Sequence, residues 1–82
     1  MTPEQKQQQI EFIKRSEKIL GFNAGEMARA LFVDYDTYGK WRRGQRELKA
    51  APTTSIRMLV VMKICNAAKE DAFTMWTNQI QP

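Results

Sequence analysis

The punctuation of helices constrains this chain more than any other feature of its sequence. Thr2-Pro3-Glu4-Gln5 opens the first helix. Thr2 can cap, Pro3 suits the first helical position because it has no N–H to leave unpaired, and Gln5 completes a capping box. Ile10, Ile13 and Leu20, flanked by Phe12 and Ile19, form an apolar stripe near helical spacing. Gly21 followed by apolar Phe22 has the pattern of a Schellman stop, which predicts a helix over 3–20. Asn23 and Glu26 make a second capping box for a short helix over 24–31, with Met27, Ala28 and Leu31 facing inward. Phe32-Val33 turns the chain, Asp34 caps again, and Tyr35 to Arg43 forms a third helix stopped by Gly44. A gap of about three residues between two short helices is the spacing of a helix-turn-helix.

Gln45–Ala51 is a polar connection. Pro52-Thr53-Thr54-Ser55 then opens a fourth helix that runs to about Cys65. Ten of the thirteen residues from Ile56 to Ala68 are apolar, so this helix is expected to be buried on several sides. Asn66 to Lys69 is expected to break it. Ala72, Phe73, Trp76 and Ile80 give a fifth, amphipathic helix over 69–79. These elements predict an all-α, compact five-helix domain spanning 1–82, with a helix-turn-helix at 23–44. One core in so short a chain hardly covers both faces of the fourth helix and all of the fifth. The surplus over 55–80 is expected to form a homodimer interface around Phe73, Trp76 and Ile80.

Charge points to the partner. The chain has 13 Lys and Arg against 9 Asp and Glu, a net charge of +4. Residues 40–49 carry Lys40, Arg42, Arg43, Arg46 and Lys49 against Glu47, so this stretch alone accounts for the whole +4. A basic stretch on a neutral body suits a polyanion.

Absences narrow the chemistry. There is no His, so no His general base, no Ser-His-Asp triad and no His metal ligand. Cys65 is alone, which leaves no intramolecular disulfide and no Cys-based zinc site. A lone Cys in an apolar stretch fits a small buried residue in a reducing cytosol. Asp34 and Asp36 lie two apart on a helix and face different directions, a poor acid–base pair. No Gly-rich phosphate loop is present, and an enzyme is not expected. No cofactor, metal or small-molecule effector is suggested. The N-terminus lacks the layout of a signal peptide, and the longest apolar run, Met58–Met62, falls far short of the roughly 20 residues of a membrane span. A cytoplasmic protein is expected.

Residues 23–44 resemble the helix-turn-helix of the Cro/CI-type (Xre-like) repressors, whose fold is that of lambda repressor. The residues carrying the resemblance are Glu26, Ala28, Leu31, Phe32, Val33, Asp34, Thr37, Tyr38, Gly39, Trp41, Arg42 and Gly44. Turn, cap, Thr37, Trp41 and Gly44 fall in register without a gap, and Ala51 to Met62 resembles the helix that follows in small phage and plasmid members. Coverage is about 20–62. Compact phage regulators such as the anti-CRISPR-associated repressors are similar. Three departures stand out: Phe32 replaces the usual turn Gly, Ala24 replaces a phosphate-touching Gln, and Arg42 replaces a Glu that pairs with an Arg of the first helix. Glu17 occupies that Arg position, so a Glu17–Arg42 pair with swapped charges is expected.

The resemblance implies a homodimeric, bacterial or phage transcription regulator, an (auto)repressor that reads an inverted repeat of double-stranded DNA. The implied base readers are Tyr35, Asp36, Gly39 and Lys40. Lys40 can donate to guanine, Asp36 can accept from cytosine N4, and Tyr35 can pack on a thymine methyl. Gly39 costs about 1 kcal/mol in a helix, which makes sense if the backbone must approach DNA. Asn23, Thr37, Arg43, Gln45, Arg46, Lys49, Thr53 and Thr54 are the expected phosphate contacts. Trp41 and Tyr38 belong in the core by family position. Asp36 can instead simply favour the helix dipole. Arg42 serves an ion pair or DNA. Two other classes stay open: a helix-turn-helix-fold module that binds protein, as an antirepressor or inhibitor does, and an RNA-binding protein.

Overall fold

The computed structural model describes the backbone of residues 1–80 and the side chains of residues 1–66. It is all-helical, with α1 at Pro3–Leu20, α2 at Ala24–Ala30, α3 at Tyr35–Arg42 and α4 at Ala50–Ile80, and no strand among the described residues.

Each of the first three helices starts where its cap dictates. Thr2 accepts from the Gln5 N–H at 3.1 Å while the Gln5 side chain accepts from the Thr2 N–H at 3.0 Å. Asn23 and Glu26 repeat the exchange at 2.8 and 3.1 Å. Asp34 caps α3 by accepting from the Thr37 N–H at 3.2 Å. Gly21 ends α1 in the left-handed conformation at φ 70°. The Phe22 N–H donates to Glu17 O at 3.0 Å and the Gly21 N–H to Lys18 O at 3.3 Å, the two bonds of a Schellman stop. Gly44, at φ 72°, stops α3 in the same way through Gly44 N–H to Trp41 O and Gln45 N–H to Lys40 O.

The core joins all four helices. α1 packs on both α3 and α4, and α2 packs on α3. Ile13 and Leu20 of α1, Met27 and Ala28 of α2, Tyr38 and Trp41 of α3 and Ile56 of α4 are buried together. Burying a side chain of this size contributes about 1.5–3 kcal/mol. Leu31, Val33, Leu48, Leu59 and Val60 seal its edges.

The α2–α3 connection bears on Phe32. Its backbone is left-handed at φ 58° and its side chain is 95% exposed. A Gly would occupy this geometry freely. Phe holds it only under strain, with no burial in return.

Four expectations are corrected. There are four helices, not five: α4 runs unbroken through residues 66–69. Asn66 is the sole weak helix former there, and Ala67, Ala68 and Lys69 are strong ones, so nothing terminates the helix. α4 also begins at Ala50, ahead of the expected opening, with Pro52 in its first turn. Nor is its first half buried all round. Met58, Val61, Met62 and Ile64 are 54–60% exposed, and Cys65 is an exposed free thiol. Ile56, Leu59 and Val60 face the body, and Val61 borders an open apolar groove with Phe12, Arg15 and Ile19 of α1, while Met62, Ile64 and Cys65 lie outside the core cluster. Phe73, Trp76 and Ile80, expected at a dimer interface, lie outside the residues whose side chains are described. No helix among the described residues is long and apolar enough to cross a membrane.

Candidate nucleic-acid interface

α3 has an inner and an outer side, set by its 3.6-residue period. Tyr38 and Trp41 point inward and anchor it. Buried Glu17, on α1, takes the Tyr38 hydroxyl as a donor and also accepts from Arg42 Nε at 3.1 and 3.2 Å. The expected Glu17–Arg42 pair is therefore present, and it directs the guanidinium of Arg42 back toward α1. Burial, then the hydrogen bond to the Glu17 carboxylate, pushes the Tyr38 phenol well above its usual range, so it stays a donor.

The outer side carries the implied base readers. Tyr35 is 65% exposed. Asp36 and Lys40 face solvent together, one turn apart, with Lys40 Nζ 3.2 Å from Asp36 Oδ2. So exposed an i,i+4 pair is worth a few tenths of a kcal/mol, too little to withhold Lys40 from a stronger anion. Gly39 lies between them in sequence but is buried, because the Arg43 side chain folds over it. A Cβ at position 39 would sit 3.0 Å from Arg43 Nη1. The backbone at Gly39 is thus open to a ligand only once Arg43 swings away, which a long exposed side chain can do.

The implied phosphate contacts divide into two sets. Gln45, Arg46, Lys49 and Thr54 are exposed; Arg43 is exposed too but folds back over Gly39, and exposed Asn23 spends its side-chain oxygen on the Glu26 N–H as the α2 cap. Arg46 and Lys49 meet at an open cleft of about 620 Å³, lined also by Trp41, Glu47, Ala51 and Pro52. Thr37 and Thr53 spend their hydroxyl protons within the chain. Thr37 donates to Asp34 Oδ1 at 2.6 Å and Thr53 to Lys49 O at 2.7 Å. The Thr37 hydroxyl, then its N–H, hold the Asp34 carboxyl below the usual carboxylate range, which keeps the cap ionised. Thr53 and Thr54 sit after the first turn of α4, since the helix starts at Ala50.

One residue of this region is absent from the sequence-derived set. Gln9, on α1, donates from Nε2 to Trp41 O at 2.9 Å and to Arg46 O at 2.8 Å, and accepts at Oε1 from the Leu48 N–H at 2.8 Å. Its signal was positional: it lies one helical turn before buried Ile13, on the inward stripe of α1, where a polar side chain needs a partner.

Among the described residues no three His, Cys, Asp or Glu side chains cluster as metal ligands would. No family model, curated protein or solved structure matches this chain.

Proposed function

We propose that this protein is a sequence-specific regulator that binds double-stranded DNA, with α2 and α3 as a helix-turn-helix of the lambda-repressor-like, Cro/CI type and α3 in the major groove. One observation carries the reading. α3 is anchored on one side by Tyr38, Trp41 and the Glu17–Arg42 pair, presents Tyr35, Asp36 and Lys40 on the other, and runs straight into the segment that holds the chain's net positive charge. Rigid presentation of a few polar side chains beside phosphate-binding cations is how such helices combine specificity with affinity.

In this reading Lys40, Asp36 and Tyr35 contact base edges, and Arg43, Gln45, Arg46 and Lys49 contact phosphates. Two copies joined along the exposed apolar stripe of α4 (Met58, Val61, Met62) set two α3 helices about 34 Å apart on an inverted repeat. The protein is then a homodimeric autorepressor in the bacterial cytosol, without catalysis or effector. Lys40→Ala should lose discrimination between target and scrambled DNA, while Arg46→Ala should weaken both alike. If both variants bind like the parent, α3 is not the reader.

A second reading draws on the exposed Phe32 and Tyr35 beside Asp34 and Asp36. Apolar rings and carboxylates at the presumed DNA face suit a protein partner better than a phosphate backbone. An interaction module of helix-turn-helix fold would bind neither DNA.

A further inference from the structure

Gln9 sits on a different helix from every implied DNA contact, yet its amide hydrogen-bonds to the backbone of the segment from Trp41 to Leu48 that carries Arg43, Gln45 and Arg46. Both Nε2 protons are used, on Trp41 O and Arg46 O, and Oε1 takes the Leu48 N–H. The three anchor points span the exit of α3 and the loop between Gly44 and Lys49. That loop has no regular secondary structure of its own. Its first bonds are the α3 stop, with the Gln45 and Arg46 N–H groups donating to Lys40 O at 2.8 and 3.3 Å. Beyond them, only Gln9 holds Arg46 O and Leu48 N–H among the described hydrogen bonds.

We infer that Gln9 is a positioning residue for phosphate binding: it clasps the 44–49 loop to α1 and so fixes where Arg46 and Lys49 present their charges. This rests on the DNA-binding reading above. A loop free to move must be ordered when it binds, and the entropy of ordering is subtracted from each contact it makes. With the clasp in place Arg46 and Lys49 project from a backbone already fixed at both ends. Without it the two cations remain, Lys49 still tied to α4 because its carbonyl accepts from the Thr53 N–H and hydroxyl, but the placement of the loop relative to α3 is lost.

Gln9→Met separates the clasp from the helix, since Met matches Gln in length and helix propensity but offers no amide. Gln9→Ala is the alternative should the Met variant not fold, as judged by circular dichroism. Two readouts are needed. Amide hydrogen exchange at Leu48, measured without DNA, reports the clasp itself. The slope of log affinity against log salt for a duplex target reports the phosphate contacts, each worth about 0.9 in the slope. The expected result is a protected Leu48 amide in the parent, fast exchange in Gln9→Met, and weaker binding, with a slope lower by up to about 0.9–1.8 where contacts are lost outright. The same substitution in an Arg46→Ala/Lys49→Ala background should leave the slope where that background put it. A folded Gln9→Met chain that binds with the parental affinity and slope overturns the inference, as does an unprotected Leu48 amide in the parent. A parent that shows no salt-dependent DNA binding overturns the DNA reading and with it this role, and the Leu48 exchange then shows whether the clasp exists as a purely structural bond.

Discussion

Arg42 Nε lies 3.2 and 3.1 Å from the two carboxylate oxygens of Glu17, which also accepts the hydroxyl of Tyr38. Glu17 is nearly buried, at 9% side-chain exposure, whereas Arg42 is 41% exposed. Removing Arg42 leaves a desolvated carboxylate with the phenol as its remaining partner. Breaking a fully buried pair costs about 3–5 kcal/mol, and solvent access to Arg42 lowers that to about 1–3 kcal/mol. Glu17→Ala and Arg42→Ala, combined in a double-mutant cycle by urea unfolding, should couple by about 1–2 kcal/mol. Additive effects would mean that the pair contributes nothing.

The same carboxylate makes Tyr38 a reporter of alkaline pH. Its phenol is held protonated in the folded chain, by burial first and by the bond to Glu17 second. In the unfolded chain it ionises near pH 10. A folded value raised above the unfolded one contributes stability that is complete below about pH 10 and is lost as pH rises further. Stability of the parent should therefore fall between about pH 9.5 and 11. Tyr38→Phe should lose about 2 kcal/mol at neutral pH, from the unpaired carboxylate, and show a shallower alkaline decline. Equal slopes in parent and variant would place the titration elsewhere.

Phe32 carries the left-handed backbone that the stop of α2 requires, with its N–H donating to Arg29 O and the Val33 N–H to Ala28 O, each at 3.1 Å, where a Gly would be free of strain. At φ 58° and 95% exposure it gains no packing from its conformation. Left-handed backbone costs a bulky residue about 1–2 kcal/mol, and Asn tolerates it better. Phe32→Asn should raise stability by about 1 kcal/mol, read as a higher melting temperature, with DNA affinity unchanged. If the variant is stabilised but loses binding, the ring is a contact residue.

The exposed stripe of α4 predicts association. Met58, Val61, Met62 and Cys65 recur at helical spacing on a face that nothing described covers. Met62→Asp should shift the chain from dimer to monomer by light scattering without unfolding it. A parent that is monomeric at high micromolar concentration would remove the dimer from the proposal.

What was legible in the sequence was local. Thr2, Gly21, Asn23, Asp34 and Gly44 act on backbone groups within five residues, so their neighbours identify them. Trp41, Tyr38 and the Glu17–Arg42 pair are legible only through the resemblance to the Cro/CI-type pattern, since spacing alone does not encode their contacts. Gln9 escaped because its partners lie 32–39 residues away and are backbone atoms, which bear no side-chain signature. α4 continues through Asn66 because that one weak helix former is outweighed by the three helix-favouring residues after it. The exposure of Cys65 followed from the same helix outrunning the body it packs on.

Binding of α3 to DNA is tested most directly by fluorescence anisotropy, with the duplex upstream of the protein's own gene beside a scrambled duplex, across a salt series. Tight binding to the upstream duplex alone, with affinity falling linearly in log salt, is the predicted result. About 0.9 of slope per phosphate would then count the contacts made by Arg43, Arg46 and Lys49. Equal weak binding to both duplexes, or none, would contradict sequence-specific recognition and turn the exposed Phe32 and Tyr35 toward a protein partner.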